Sequence, residues 1–132
     1  MRNFGKFASG LLFFALASVS SSSSKAADVN PDDFHVRTTE DLVALCSVNP
    51  SDPNYVAAIH FCHGFATGAY QYYQSTITSP GDRFVCPPDP PPTRSEAIAG
   101  FVAWANANPL HMADRPVDSI FRYLSLTYPC PQ

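Results

Sequence analysis

Pro53-Asn54-Tyr55-Val56-Ala57-Ala58-Ile59-His60-Phe61-Cys62-His63-Gly64-Phe65-Ala66-Thr67-Gly68-Ala69-Tyr70-Gln71-Tyr72-Tyr73-Gln74 is the stretch that decides the fold. Residues 53 to 81 hold no Asp, Glu, Lys or Arg. Tyr55, Ile59, Cys62, Ala66, Ala69 and Tyr73 recur at alternating spacings of four and three, which is one stripe of a helix. The pattern predicts a long helix, capped by Ser51 or Asp52 with Pro53 in its first turn, running to about Gln74. His60, Gly64 and Gly68 fall on the opposite side, with Thr67 and Gln71 beside them. Glycine inside a helix costs about 1 kcal/mol relative to alanine. Two glycines four apart therefore point to close approach of another backbone, from a neighbouring helix or from a second copy of the chain. A membrane span is disfavoured, because His60, His63, Asn54, Gln71, Gln74 and four tyrosines interrupt the stretch.

Three shorter helices surround it. Thr38 or Thr39 caps the first, which carries Glu40 and Asp41 in its opening turn and ends at Cys46. Thr93-Arg94-Ser95-Glu96 is a capping box opening the third, which ends near Asn108-Pro109 and buries Ile98, Phe101, Val102 and Ala105. Asp114 caps the fourth, with Pro116 in its first turn, and Val117, Ile120, Phe121, Leu124 and Tyr128 form its apolar stripe. Trp104, Tyr123 and Leu126 lie off these stripes and mark a second core contact or an interface. No segment alternates with period two. The fold expected is all-α, a small four-helix bundle with a long proline-rich loop between helices two and three.

The N-terminus carries an address. Arg2 and Lys6 precede the apolar run from Leu11 to Val19, which falls short of the about 20 residues a bilayer needs. Ser24-Lys25-Ala26 then offers small residues at a cleavage site. Residues 1–26 read as a secretory signal peptide, 27–37 as a flexible N-terminal segment, and 38–132 as the helical domain. Localisation is then periplasmic or secreted. After Ala26 the chain keeps five arginines, no lysine and all 11 acids, for a net charge of -6. Such a chain is suited neither to nucleic acid nor to an anionic membrane, and better to a protein partner.

Export places Cys46, Cys62, Cys86 and Cys130 in an oxidising space, where an even count argues for disulfides. Four cysteines allow three pairings, and helix geometry ranks them. Helices three and four are joined by a few residues and should lie antiparallel. Cys86 before the third then approaches Cys130 after the fourth. Cys46 and Cys62 remain, stapling the end of the first helix to the middle of the second. No C-x-x-C is present, so a redox centre is disfavoured.

Catalytic signatures are missing. There is no nucleophile elbow, P-loop or dinucleotide fingerprint, and the acids are scattered singly on caps and loops. His60 and His63 flank Cys62, but that cysteine is claimed by a disulfide and no second ligand pair lies near. A non-catalytic protein without cofactor or metal is expected. The informative loop runs from Ser75 to Pro92. Ser79-Pro80-Gly81-Asp82-Arg83 is a turn signal, and Pro87-Pro88-Asp89-Pro90-Pro91-Pro92 is stiff, polyproline-like chain. A loop so restrained loses little entropy on binding, which makes Ser79, Pro80, Gly81, Asp82, Arg83, Pro88, Asp89 and Pro90 the candidate partner contacts, with Tyr72 and Trp104 as helpers.

The ordered set resembles the Rap/Tai family of type VI secretion immunity proteins. The matching residues are Leu42-Val43-Ala44-Leu45-Cys46, Cys62-His63-Gly64-Phe65-Ala66-Thr67-Gly68, Phe84-Val85-Cys86-Pro87, Asn108-Pro109 and Tyr128-Pro129-Cys130. The proline-rich run Pro88 to Pro92 is less typical of that family. The resemblance implies a periplasmic, disulfide-bonded, all-helical protein, often a homodimer. It also implies inhibition of a peptidoglycan amidase effector by occlusion of its active site. The alternative is a periplasmic stress chaperone; against it, the acids are little clustered and no lysine remains after Ala26. Intact-mass measurement on the exported protein is expected to give a chain that begins at Ala27 and has no free thiol. Free thiols or a retained leader would contradict this reading.

Overall fold

Thr38 opens the first helix by a reciprocal cap. Its hydroxyl accepts the Asp41 N–H at 3.2 Å, while the Asp41 carboxylate accepts the N–H of Thr38 at 3.1 Å and of Arg37 at 2.8 Å. Helix α1 then spans Thr39–Cys46. The computed structural model describes residues 28–131; the leader expected over residues 1–26 lies outside them. Three further helices follow among the described residues: α2 over Tyr55–Thr76, α3 over Arg94–Ala107 and α4 over Pro116–Thr127. Short 3-10 turns occupy Pro31–His35, Pro80–Asp82 and Pro109–His111, and no strand occurs among the described residues.

Helix α1 touches each of the other three helices. Leu42 and Leu45 on it are fully buried. Leu45 joins Val29, Val48, Ala58, Cys62 and Ile98 in one apolar cluster, while Leu42 and Val43 join Phe101, Ala105, Ile120 and Tyr123 in a second. Both expected disulfides are present, Cys46–Cys62 and Cys86–Cys130, with Cα atoms 5.2 and 4.9 Å apart. They close separations of 16 and 44 residues, which the chain-entropy account values at about 3 and about 4 kcal/mol. The Cys86 N–H also donates to the Tyr128 carbonyl at 2.8 Å, so the chain leading into α3 lies beside the end of α4.

Several local expectations are corrected. Helix α2 begins at Tyr55 with no side-chain cap. Asp52 instead accepts the N–H of Asn54 at 2.7 Å and of Val29 at 3.1 Å. Helix α4 also lacks a side-chain cap, because the Asp114 carboxylate faces His111 Nδ1 at 2.7 Å. On α4, Val117 is exposed while Tyr123, Ser119 and Ile120 are buried, so the buried face is rotated from the apolar stripe. The reason is α1: Thr39 is fully buried and its hydroxyl lies 2.7 Å from Ser119 Oγ and 3.0 Å from the Asp114 carbonyl. A polar pair that satisfies itself can occupy a core position that hydropathy assigns to the surface.

The segment before α1 has structure from residue 28 onward, where a flexible lead-in was expected. Val29 is buried, Phe34 and Val36 pack on the apolar clusters, and Asn30 and Asp33 cap the 3-10 turn reciprocally. Val36 adopts φ 47° and ψ 50°, a left-handed conformation unfavourable for a β-branched residue. Its packing against both clusters offsets that cost.

Of the two readings of the α2 glycines, a neighbouring helix or a second copy, the first is corrected. A Cβ at Gly64 or Gly68 would meet nothing within 4 Å, so no neighbouring helix among the described residues approaches them. The close contact falls at Gly100 on α3, where a Cβ would overlap the Tyr123 hydroxyl and lie 3.0 Å from its ring carbon Cζ. Gly100→Ala is expected to lower stability by about 1–3 kcal/mol in urea unfolding, through overpacking. In the monomer, where their face is open, Gly64→Ala and Gly68→Ala should each raise it by about 1 kcal/mol, the helix-propensity difference.

Candidate functional site

The loop between α2 and α3 is pinned at its base. Tyr73, at the end of the buried stripe of α2, turns its hydroxyl to the Phe84 N–H at 2.9 Å and the Val85 N–H at 3.1 Å. Its ring packs 4.6 Å from Phe84 and 5.2 Å from Phe121 of α4, centroid to centroid. Val85 is buried, and Cys86 is bonded to Cys130. Residues 84–86 are thus fixed by aromatic packing, two amide hydrogen bonds and a covalent bridge.

Two exposed tips flank this anchor. Ser79, Pro80, Gly81, Asp82 and Arg83 form the first, a 3-10 turn exposed throughout. The Asp82 carboxylate closes it by accepting the N–H of Thr78 at 2.9 Å and of Ser79 at 2.8 Å, together with the Thr78 hydroxyl at 2.8 Å. The Thr78 hydroxyl, then the two amides, hold its pKa below the usual carboxylate value. Pro88, Asp89 and Pro90 form the second tip, exposed, with a cis Asp89–Pro90 peptide. Beyond it, Thr93 and Glu96 cap α3 as expected, and the Thr93 hydroxyl, then its amide, lowers the Glu96 pKa.

The remaining candidates separate. His60, Gly64 and Gly68 are exposed on α2, on a face that Tyr72 extends at 74 % exposure. Trp104 is half-buried at the edge of the second apolar cluster: it stacks on His111 at 5.4 Å and packs against Phe101 and Tyr123. Cys62 is fully buried in its disulfide, and among the described residues no three His, Cys, Asp or Glu side chains could hold a metal ion.

Behind the proline tip lies a cleft of about 380 Å³ that the sequence did not disclose. Ala66, Thr67, Tyr70 and Gln71 of α2 form one side, Pro91 and Pro92 another, and Phe101, Tyr123 and Leu124 the floor. A second hollow of about 440 Å³, bordered by Arg83, adjoins it at Tyr70, Gln74 and Pro87. Burial pushes the Tyr70 and Tyr123 phenols above their ordinary pKa, so both stay protonated as donors. The signal missed was combinatorial: the lining comes from four helices and a loop.

A family model described as Rap1a immunity proteins matches residues 38–130, which include all four helices and both disulfides. The chain belongs to that family. No curated protein and no solved structure matches it. Membership in the Rap1a family implies a protein that works by binding an effector protein. Among the described residues, no helix of this Rap1a family member is long and apolar enough to cross a membrane.

The Asp82 closure has a pH signature. Its pKa is depressed in the folded turn, so its stabilising contribution is full above the ordinary carboxylate value of about 4 and is lost as pH falls through the folded value. Amide exchange at Thr78 and Ser79 is expected to accelerate in that acid window. Asp82→Asn should produce the same acceleration at neutral pH, with the α-helical signal unchanged.

Proposed function

We propose that this chain is a periplasmic immunity protein that neutralises a peptidoglycan amidase delivered by type VI secretion, by seating its pinned loop in the amidase active-site cleft. The observation that carries the reading is the loop's construction. Two exposed tips, Ser79–Arg83 and Pro88–Pro90, project from an anchor held by Tyr73, Phe84 and Cys86–Cys130. An inhibitor gains affinity when its contact surface is ordered before binding, because less conformational entropy is then lost. Family membership supports a protein effector as the partner. The leader-like residues 1–26 support a site of action outside the cytosol. The exposed α2 face, with Gly64 and Gly68 open to solvent, supports a homodimer contact, since two helices approach closely where side chains are smallest.

Affinity purification of the disulfide-bonded protein from periplasm is expected to recover an amidase and to inhibit its hydrolysis of peptidoglycan. Replacing Pro88–Pro90 by glycines, or Arg83→Glu, should raise the inhibition constant about tenfold or more while leaving the unfolding midpoint near that of the parent. Repeated failure to recover an amidase, or inhibition unaffected by both changes, would count against the reading.

A further inference from the structure

The two adjoining hollows have a charge that the rest of the chain does not. The described residues carry 11 acids against five arginines. Yet the charged side chains bordering the hollows are two guanidiniums, Arg94 on the first and Arg83 on the second, with no carboxylate. The nearest acids in sequence are engaged elsewhere: Asp82 closes its own turn, and Glu96 accepts from Thr93 at 2.7 Å. Neither Arg83 nor Arg94 forms an ion pair among the described residues, whereas Arg115 pairs with Asp118 at 2.9 Å. Two free cations, one on an apolar cleft and one on the more polar hollow beside it, are electrostatically complementary to an anionic ligand that also carries apolar groups.

We propose that this cleft docks an acidic, aromatic-bearing peptide segment of a protein partner. An aromatic side chain seats on Phe101 and Tyr123, against the wall of Pro91 and Pro92. Carboxylates one or two residues away pair with Arg94 and Arg83. The Tyr70 hydroxyl and the Gln74 amide, at the join between the hollows, meet the segment's backbone. The volume of about 380 Å³ lies within the range of about 300–1,000 Å³ usual for ligand sites. Two hollows in succession fit a chain that presents one side chain after another. The proline wall is stiff, so little order has to be imposed on binding. This inference rests on the reading that the chain acts by binding a protein. It goes further by naming the chemistry of the bound segment and placing it behind the loop tips.

The test uses the exported chain with both disulfides intact and a fluorescein-labelled, end-capped hexapeptide of alternating aspartate and phenylalanine. Counterparts carry lysine for aspartate, or serine for phenylalanine. Anisotropy is expected to show binding of the first peptide alone, weakened by added salt and by about tenfold for each of Arg94→Glu and Arg83→Glu. Ala97→Trp should fill the cleft and abolish binding. Both arginines are exposed, so their variants should keep the parent's circular dichroism. Amide shifts on titration should map to Tyr70, Phe101 and Tyr123. Equal binding of the lysine peptide, or shifts that map elsewhere, would overturn the proposal. So would dodecanoate saturating the cleft where the peptide does not, or self-association that the arginine variants abolish. The assay needs no effector. Its failure leaves the immunity reading standing, and a failed amidase recovery leaves the peptide result readable.

Discussion

Helix α1 is held at both ends, and the bundle is organised around that clamp. Eight residues are too few for a helix to persist in water, since nucleation is costly and few hydrogen bonds repay it. At its start, the Thr39 N–H donates to the Asp114 carbonyl at 2.8 Å and the Glu40 N–H to the Met112 carbonyl at 3.0 Å. At its end, Cys46 is bonded to Cys62 in the middle of α2. Between the clamps Leu42 and Leu45 are fully buried, one in each apolar cluster. Moving α1 would open both cores at once.

The second bridge does different work. Cys86–Cys130 ties a loop to the end of α4, and Tyr73 and Phe84 complete the anchor with aromatic packing. Core and display are thereby separated. The helices carry the apolar clusters, and the loop carries exposed polar and proline surface on a base tied to α2 and to the end of α4. A rigid display needs such separation, because a tip continuous with a soft core would lose entropy on every contact.

Charge follows the same division. Most acids sit on caps and turns, where Asp41, Asp82 and Glu96 accept backbone N–H groups. They are used up locally and leave the cleft to Arg83 and Arg94. An acidic chain can therefore present a cationic recess without any basic run in its sequence. Net charge describes long-range behaviour, while a binding surface depends on which charges remain unpaired.

Much of the architecture was legible in the linear chain. The four-three spacing from Tyr55 to Tyr73 marks α2, and the threonine cap at 38 or 39 and the Thr93–Glu96 box mark the starts of α1 and α3. Short connection between α3 and α4 brings Cys86 to Cys130, because antiparallel neighbours place a start beside an end. These features depend on local propensity and on connection length, which a sequence states directly. Other features needed the fold. Ser119 is buried because Thr39, 80 residues away, satisfies its hydroxyl, and hydropathy alone puts a serine outside. Gly100 is the close contact and Gly64 and Gly68 are not, since a glycine's purpose depends on what lies opposite it. The cleft is assembled from four helices and a proline wall, and no stretch of sequence contains it. The amino-acid order determined the helices, the caps at Thr38 and Thr93, and the staples. Only tertiary packing decided which faces meet and which charges stay free, because those depend on pairs of residues far apart in the chain.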